Sequence, residues 1–112
     1  MRLSFNDAKL KRCAEDESFS VRKLGTIRSK LYLRRINDFL NADNLEELRY
    51  MPGNYHELIG NRKGEWACNL DQPYRLIFRP IEEPIPLDNN GNYIWVEILG
   101  VEIMEIDNYH SK

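Results

Sequence analysis

Two histidines, a basic turn and a Tyr-His pair near the C-terminus are the residues of this chain best equipped for chemistry. His56 and His110 carry the side chain whose proton affinity suits transfer near neutral pH. Arg62 and Lys63 sit in the turn Asn61-Arg62-Lys63-Gly64, while Arg75 and Arg79 share one side of a later apolar run. Cleaving an RNA phosphodiester without a metal needs a base for the 2′-hydroxyl, an acid for the leaving 5′-oxygen and cations around the phosphate. His56, Tyr109 and His110 are groups that handle protons, and Arg62, Lys63, Arg75 and Arg79 are cations, arginine being the better fork for phosphate oxygens. Tyr55 and Trp66 offer rings for stacking on bases. Each residue also has an ordinary reading: a strand histidine that packs, a core tryptophan, a Tyr-His tail.

Other chemistries are poorly represented. The chain has no GxSxG, P-loop, dinucleotide fingerprint or HExxH. Cys13 and Cys68 belong to no CxxC and no His cluster, so they read as small apolar fillers rather than zinc ligands. With 112 residues, 42% hydrophobic and 30% charged, the chain fits one folded domain, residues 1–112. Nothing reads as a leader, and no run approaches the roughly 18 apolar residues of a membrane span, so a cytoplasmic protein is expected.

The net charge of −2 alone argues against nucleic acid, but its distribution is uneven. Residues 1–63 hold 13 Lys/Arg against 9 Asp/Glu, and residues 64–112 hold 3 against 9. Between Ser18 and Asn37 lie Arg22, Lys23, Arg28, Lys30, Arg34 and Arg35 with no acid. Such a stripe can track phosphates or simply face solvent.

The elements that must position these groups follow from periodicity. Asn6 and Asp7 can cap a first helix, residues 15–20 read as a polar break, and a longer helix is predicted over 24–40. Leu24, Ile27 and Leu31 form its expected ridge, widened by Tyr32, Ile36, Phe39 and Leu40. From Met51 the period changes to two. Strands are predicted over 55–59, 65–70 and 74–79, with Trp66, Cys68 and Leu70, then Tyr74, Leu76 and Phe78, facing the core. Pro80, Pro84 and Pro86 mark a loop, Asn90-Gly91 a hairpin turn, and 93–106 a β-rich end with a bulge at Gly100. Helices first and a mostly antiparallel sheet after them make an α+β class.

In order along the chain stand Pro52-Gly53, His56-Glu57-Leu58-Ile59-Gly60, Asn61-Arg62-Lys63-Gly64-Glu65-Trp66, Tyr74-Arg75-Leu76-Ile77-Phe78-Arg79 and Asn108-Tyr109-His110. This series resembles the HigB-like branch of the RelE/ParE toxin superfamily, over somewhat under half the chain. The resemblance implies two N-terminal helices on a twisted antiparallel sheet. It implies the toxin of a bacterial type II toxin–antitoxin pair that cleaves messenger RNA on the ribosome, with no metal or other cofactor. A helix-turn-helix antitoxin similar to HigA is the implied partner. By position, His56, Tyr109 and His110 match active-site residues of that branch, and Arg62, Lys63 and Arg75 match its phosphate-facing cations. Ile59 stands where the branch has a lysine, and Asn108 where it has an acid. A second reading therefore stays open, a non-catalytic interaction protein on the same scaffold, binding an antitoxin or poisoning gyrase as ParE-type members do.

Overall fold

The computed structural model describes residues 1–109, and the expectation for His110 lies outside them. Its first element is a strand, β1 (Arg2–Phe5), in which Leu3 and Phe5 turn inward and Arg2 and Ser4 outward. Asp7 then starts α1 (Ala8–Glu15), its Oδ1 accepting from the Lys9 and Leu10 amides at 2.7 and 3.1 Å. The predicted break over 15–20 shrinks to one residue. Asp16 ends α1 and caps α2 (Glu17–Leu24), accepting from the Phe19 amide at 3.1 Å. Gly25, at φ 85°, separates α2 from α3 (Thr26–Asn41). Three helices result where two were expected, because an aspartate that interrupts one helix can equally cap the next.

The buried face of α3 is Ser29, Tyr32, Arg35, Ile36 and Phe39. Ile27 and Leu40, expected on the inner ridge, are largely exposed. The Tyr32 hydroxyl donates to the Leu10 carbonyl at 2.7 Å, and the Ser20 and Ser29 hydroxyls meet at 2.6 Å, tying α1 and α2 to α3. The basic stripe is broken up by the same packing. Arg28 pairs with Asp71 at 2.9 Å and stacks over the Tyr74 ring at 3.5 Å. Buried Arg35 donates to the Asn69 carbonyl at 2.9 Å. Arg22, Lys23, Lys30 and Arg34 remain exposed.

After a 3-10 turn at Leu45–Leu48 come β2 (His56–Glu57), β3 (Trp66–Asn69), β4 (Tyr74–Pro80) and β5 (Gly100–Asn108). The sheet order is β1-β5-β4-β3-β2, with β1 parallel to β5 and the other neighbours antiparallel. The class is α+β: three helices on a five-stranded, mostly antiparallel sheet. Trp66 opposes Phe78 and Cys68 opposes Leu76, and all four side chains are fully buried beneath the helices. Phe39 meets Phe78 edge-on at 4.9 Å and Tyr55 at 5.8 Å. Tyr55 and Trp66 are thus core, as the alternation predicts for Trp66, and the stacking role offered for both rings is corrected: at 4% and 0% exposure neither can meet a base.

Two details of β5 differ from expectation. Segment 93–106 begins with a 3-10 turn, Trp95–Glu97, before the strand starts. The bulge lies not at Gly100 but at Met104, since Ile77 opposes Glu105 while Phe78 opposes Ile103. The extra residue keeps Ile103 and Ile106 on the core while Met104 joins the other face. Gly100 instead allows a close approach, because a Cβ there would run into the Ile81 side chain. The Asn90-Gly91 turn forms as expected, between the bridge partners Leu87 and Tyr93. Among the described residues no helix is long and apolar enough to cross a membrane.

Candidate functional site

The face of the sheet turned away from the helices carries the alternate residues of the same strands. Ala67 and Ile77 are fully buried there, joined by Leu58 and Met104. Around this apolar ribbon stand the arginines singled out above, each already paired with a carboxylate. Arg75 points Nε and Nη2 at Asp107 Oδ2, both at 3.0 Å. Arg79 does the same with Glu102 Oε1, at 2.9 Å. Arg62 is clamped at both ends, Nη1 on Glu65 at 2.8 Å and Nη2 on Glu105 at 3.0 Å. Hydrogen bonds first to Glu65 and then to Glu105 push the Arg62 guanidinium still higher in pKa, so its charge is permanent.

The register brings some of the expected site together. β2 lays His56 beside Ala67, and β4 lays Arg75 beside Asp107 of β5. Just beyond β5, the Tyr109 amide donates to the Pro73 carbonyl at 2.9 Å, and its ring lies under the Arg75 guanidinium, 4.8 Å away. A groove of about 630 Å³ is lined by His56, Arg62, Arg75, Asp107, Asn108 and Tyr109, among others. His56 Nδ1 is 2.7 Å from the Asn54 carbonyl. A carbonyl only accepts, so Nδ1 carries a proton, and in the neutral ring Nε2 is the nitrogen that can accept one. Arg75 gives two N–H groups to Asp107 and keeps the rest of its five donors for another acceptor.

Lys63 and Arg79 are placed elsewhere. They line a second depression with Glu65, Glu82, Glu83 and Glu102. Arg79 follows Arg75 by four residues on one strand, a separation of about 13 Å. Ile59 is 86% exposed, an apolar side chain at the groove mouth. Two groups at the site were missed in the sequence: Asp107, which pairs with Arg75, and Glu105, which pairs with Arg62. Both had a signal, their alternation along a strand antiparallel to β4. Among the described residues no group of three or more His, Cys, Asp or Glu side chains is placed to hold a metal ion.

No protein-family model matches the chain, and no curated protein matches it. Among solved structures, a YoeB/ParE toxin from Agrobacterium tumefaciens is similar, with a TM-score of 0.48 and 13% sequence identity over 98% of this chain and 100% of that one.

Proposed function

We propose that this protein is the toxin of a bacterial toxin–antitoxin pair, built on a RelE/ParE-type scaffold, and that it cuts messenger RNA. The observation that carries this reading is the convergence of His56, Arg75 and Tyr109 on one groove, in a chain whose ordered motifs resemble the HigB-like branch. In the proposed reaction, Nε2 of His56 takes the proton of a 2′-hydroxyl, which attacks the adjacent phosphate. The unpaired edge of Arg75 stabilises the charge gathering on the phosphorane oxygens. Tyr109, whose ring lies under that guanidinium, gives the leaving 5′-oxygen its proton in this reading. Asp107 offsets Arg75, and Glu65 with Glu105 more than offset Arg62, so the groove draws RNA only weakly by electrostatics. That fits an enzyme to which RNA is delivered, and the ribosome is the proposed carrier. A helix-turn-helix antitoxin similar to HigA is the proposed silencing partner.

The test is induced expression followed by mapping of transcript ends. Wild-type chain arrests growth and cuts messages, and Arg75→Ala and His56→Ala abolish both while remaining folded. Intact transcripts in arrested cells, or arrest that survives both substitutions, overturns the nuclease reading. The latter outcome supports the second reading, a toxin that acts by binding. The double clamping of Arg62 and the exposure of Ile59 favour it, since each suits a protein contact better than a phosphate.

A further inference from the structure

Arg35 is a cation sunk in the core, 6% exposed, on the buried face of α3. It forms no ion pair among the described residues. Its hydrogen-bond partners are two main-chain carbonyls, that of Asn69 at 2.9 Å and that of Pro52 at 3.4 Å. Burying a charge opposes folding, and an apolar side chain of similar volume fills such a space at least as favourably. What the guanidinium adds is a grip on backbone. We propose that Arg35 is a positioning residue, holding the turn over residues 52–54 so that the Asn54 carbonyl fixes the tautomer of His56. The proposal rests on the RNA-cleavage reading, in which Nε2 of His56 is the base, and it names what keeps that nitrogen free to accept.

The contacts form a closed circuit. Arg35 Nε donates to the Asn69 carbonyl, and the Asn69 amide donates to the Gly53 carbonyl at 2.7 Å. Arg35 Nη1 reaches the Pro52 carbonyl, so Gly53 is held from both sides. Gly53 also lies against the guanidinium itself: a Cβ there would stand 3.0 Å from Arg35 Nε and 3.0 Å from the Tyr55 ring. Its φ of 127° is one that L side chains rarely adopt. Asn54 follows at φ 51°, the one non-glycine residue with positive φ among those described.

The carbonyl of this left-handed residue meets His56 Nδ1 at 2.7 Å. The His56 backbone is placed by the sheet, opposite Ala67 of β3, whereas the Asn54 carbonyl is placed by the turn. The two meet when the turn keeps its place against β3, and Asn69, the last residue of β3, is where Arg35 ties them together. A neutral imidazole without that carbonyl shares its proton between both nitrogens, since water can accept from either one. Every ring that carries the proton on Nε2 is lost as a base.

The experiment reads the ring-nitrogen NMR shifts of His56 in the full chain at about pH 9, where an ordinary imidazole is neutral. The signals are assigned by their loss in His56→Ala. Wild type shows one tautomer, Nδ1–H, with the two nitrogens far apart in shift. Arg35→Lys, which keeps the charge but not the planar fork, draws the two shifts together, and Arg35→Met draws them further. Asn54→Val, which disfavours the left-handed backbone at an exposed position, does the same in a chain whose core is untouched. Arg34→Met, on the exposed side of the same helix, leaves the shifts unchanged, and so does Leu10→Ala in the core beside α1. An Nδ1–H tautomer that survives Arg35→Lys and Arg35→Met overturns the proposal, as does a wild-type ring already shared between tautomers. A shift in Leu10→Ala as large as that in Arg35→Met also overturns it, since the role is then merely structural. Should Arg35→Met fail to fold, Arg35→Lys decides alone. RNA cleavage is scored separately and falls by the same factor as the Nδ1–H population. Cleavage at the wild-type rate after the tautomer is lost overturns the part of Arg35 in the reaction and leaves a nuclease standing. Tautomer loss in a chain that never cleaves RNA supports the positioning and overturns only the nuclease reading.

Discussion

The two faces of the sheet are made from alternate residues of the same strands, yet they are held by different forces. Toward the helices, Trp66, Cys68, Leu76, Phe78 and Ile103 are wholly excluded from water and joined by aromatic contacts. On the opposite face, Leu58, Ala67 and Ile77 form a narrow ribbon flanked by Arg–carboxylate pairs. Those pairs are only partly buried, from 16% side-chain exposure at Arg75 to 52% at Arg79. Pairs so exposed contribute at most about 1 kcal/mol each. Stability is therefore concentrated beneath the helices, and the charged face is free to change partners without unfolding the domain.

Five measurements bear on that contrast. Trp66→Ala is expected to cost about 3–5 kcal/mol in urea unfolding, and a loss under 1 kcal/mol would place the core elsewhere. Ile77→Ala on the open face should cost about 2 kcal/mol, and a loss equal to that of Trp66 would erase the distinction. Arg62→Ala, which releases two carboxylates, should cost roughly 1 kcal/mol at low salt. Arg79→Ala should cost about half that, shrinking as salt is added. A deficit that persists in 1 M salt counts against a merely electrostatic role for Arg62 and Arg79. The last expectation is no effect at all. Burial pushes the Cys68 thiol up to about 12, against an ordinary 9.0, and raises that of Cys13. A raised thiol pKa means less thiolate at any given pH, so iodoacetamide at pH 8 should label neither residue until denaturant is added. Labelling of native Cys68 would show that the helix-side face opens.

How much of this was legible depended on distance along the chain. Strands β3 and β4 follow from local alternation, because Trp66, Cys68 and Leu70, and then Tyr74, Leu76 and Phe78, repeat at period two. Strand β1 has the same alternation over four residues only, and its partner lies almost a hundred residues away. Nothing local marks it as part of the sheet. The site divides in the same way. His56, Arg75 and Tyr109 were readable as residue types, and the register does bring them to one groove. The separation of Lys63 and Arg79 from that groove was not, and neither was the clamp on Arg62. Glu105 reaches it from 43 positions away, across a bulge whose place the alternation did not reveal.

The pairing of β1 with β5 bears on the order in which the molecule can assemble. Arg2 meets Gly100 in the sheet, so a growing chain must hold β1 without its partner until β5 has been made. Contacts of such separation slow folding, since a long loop must close before any of them forms. Glu102, Glu105 and Asp107 arrive on that same β5, and Tyr109 follows directly. Until they do, Arg75 and Arg79 lack their counter-charges, Arg62 has Glu65 alone, and the groove lacks one of its walls. The site is consequently finished only when β5 is in place, in the same step that closes the sheet.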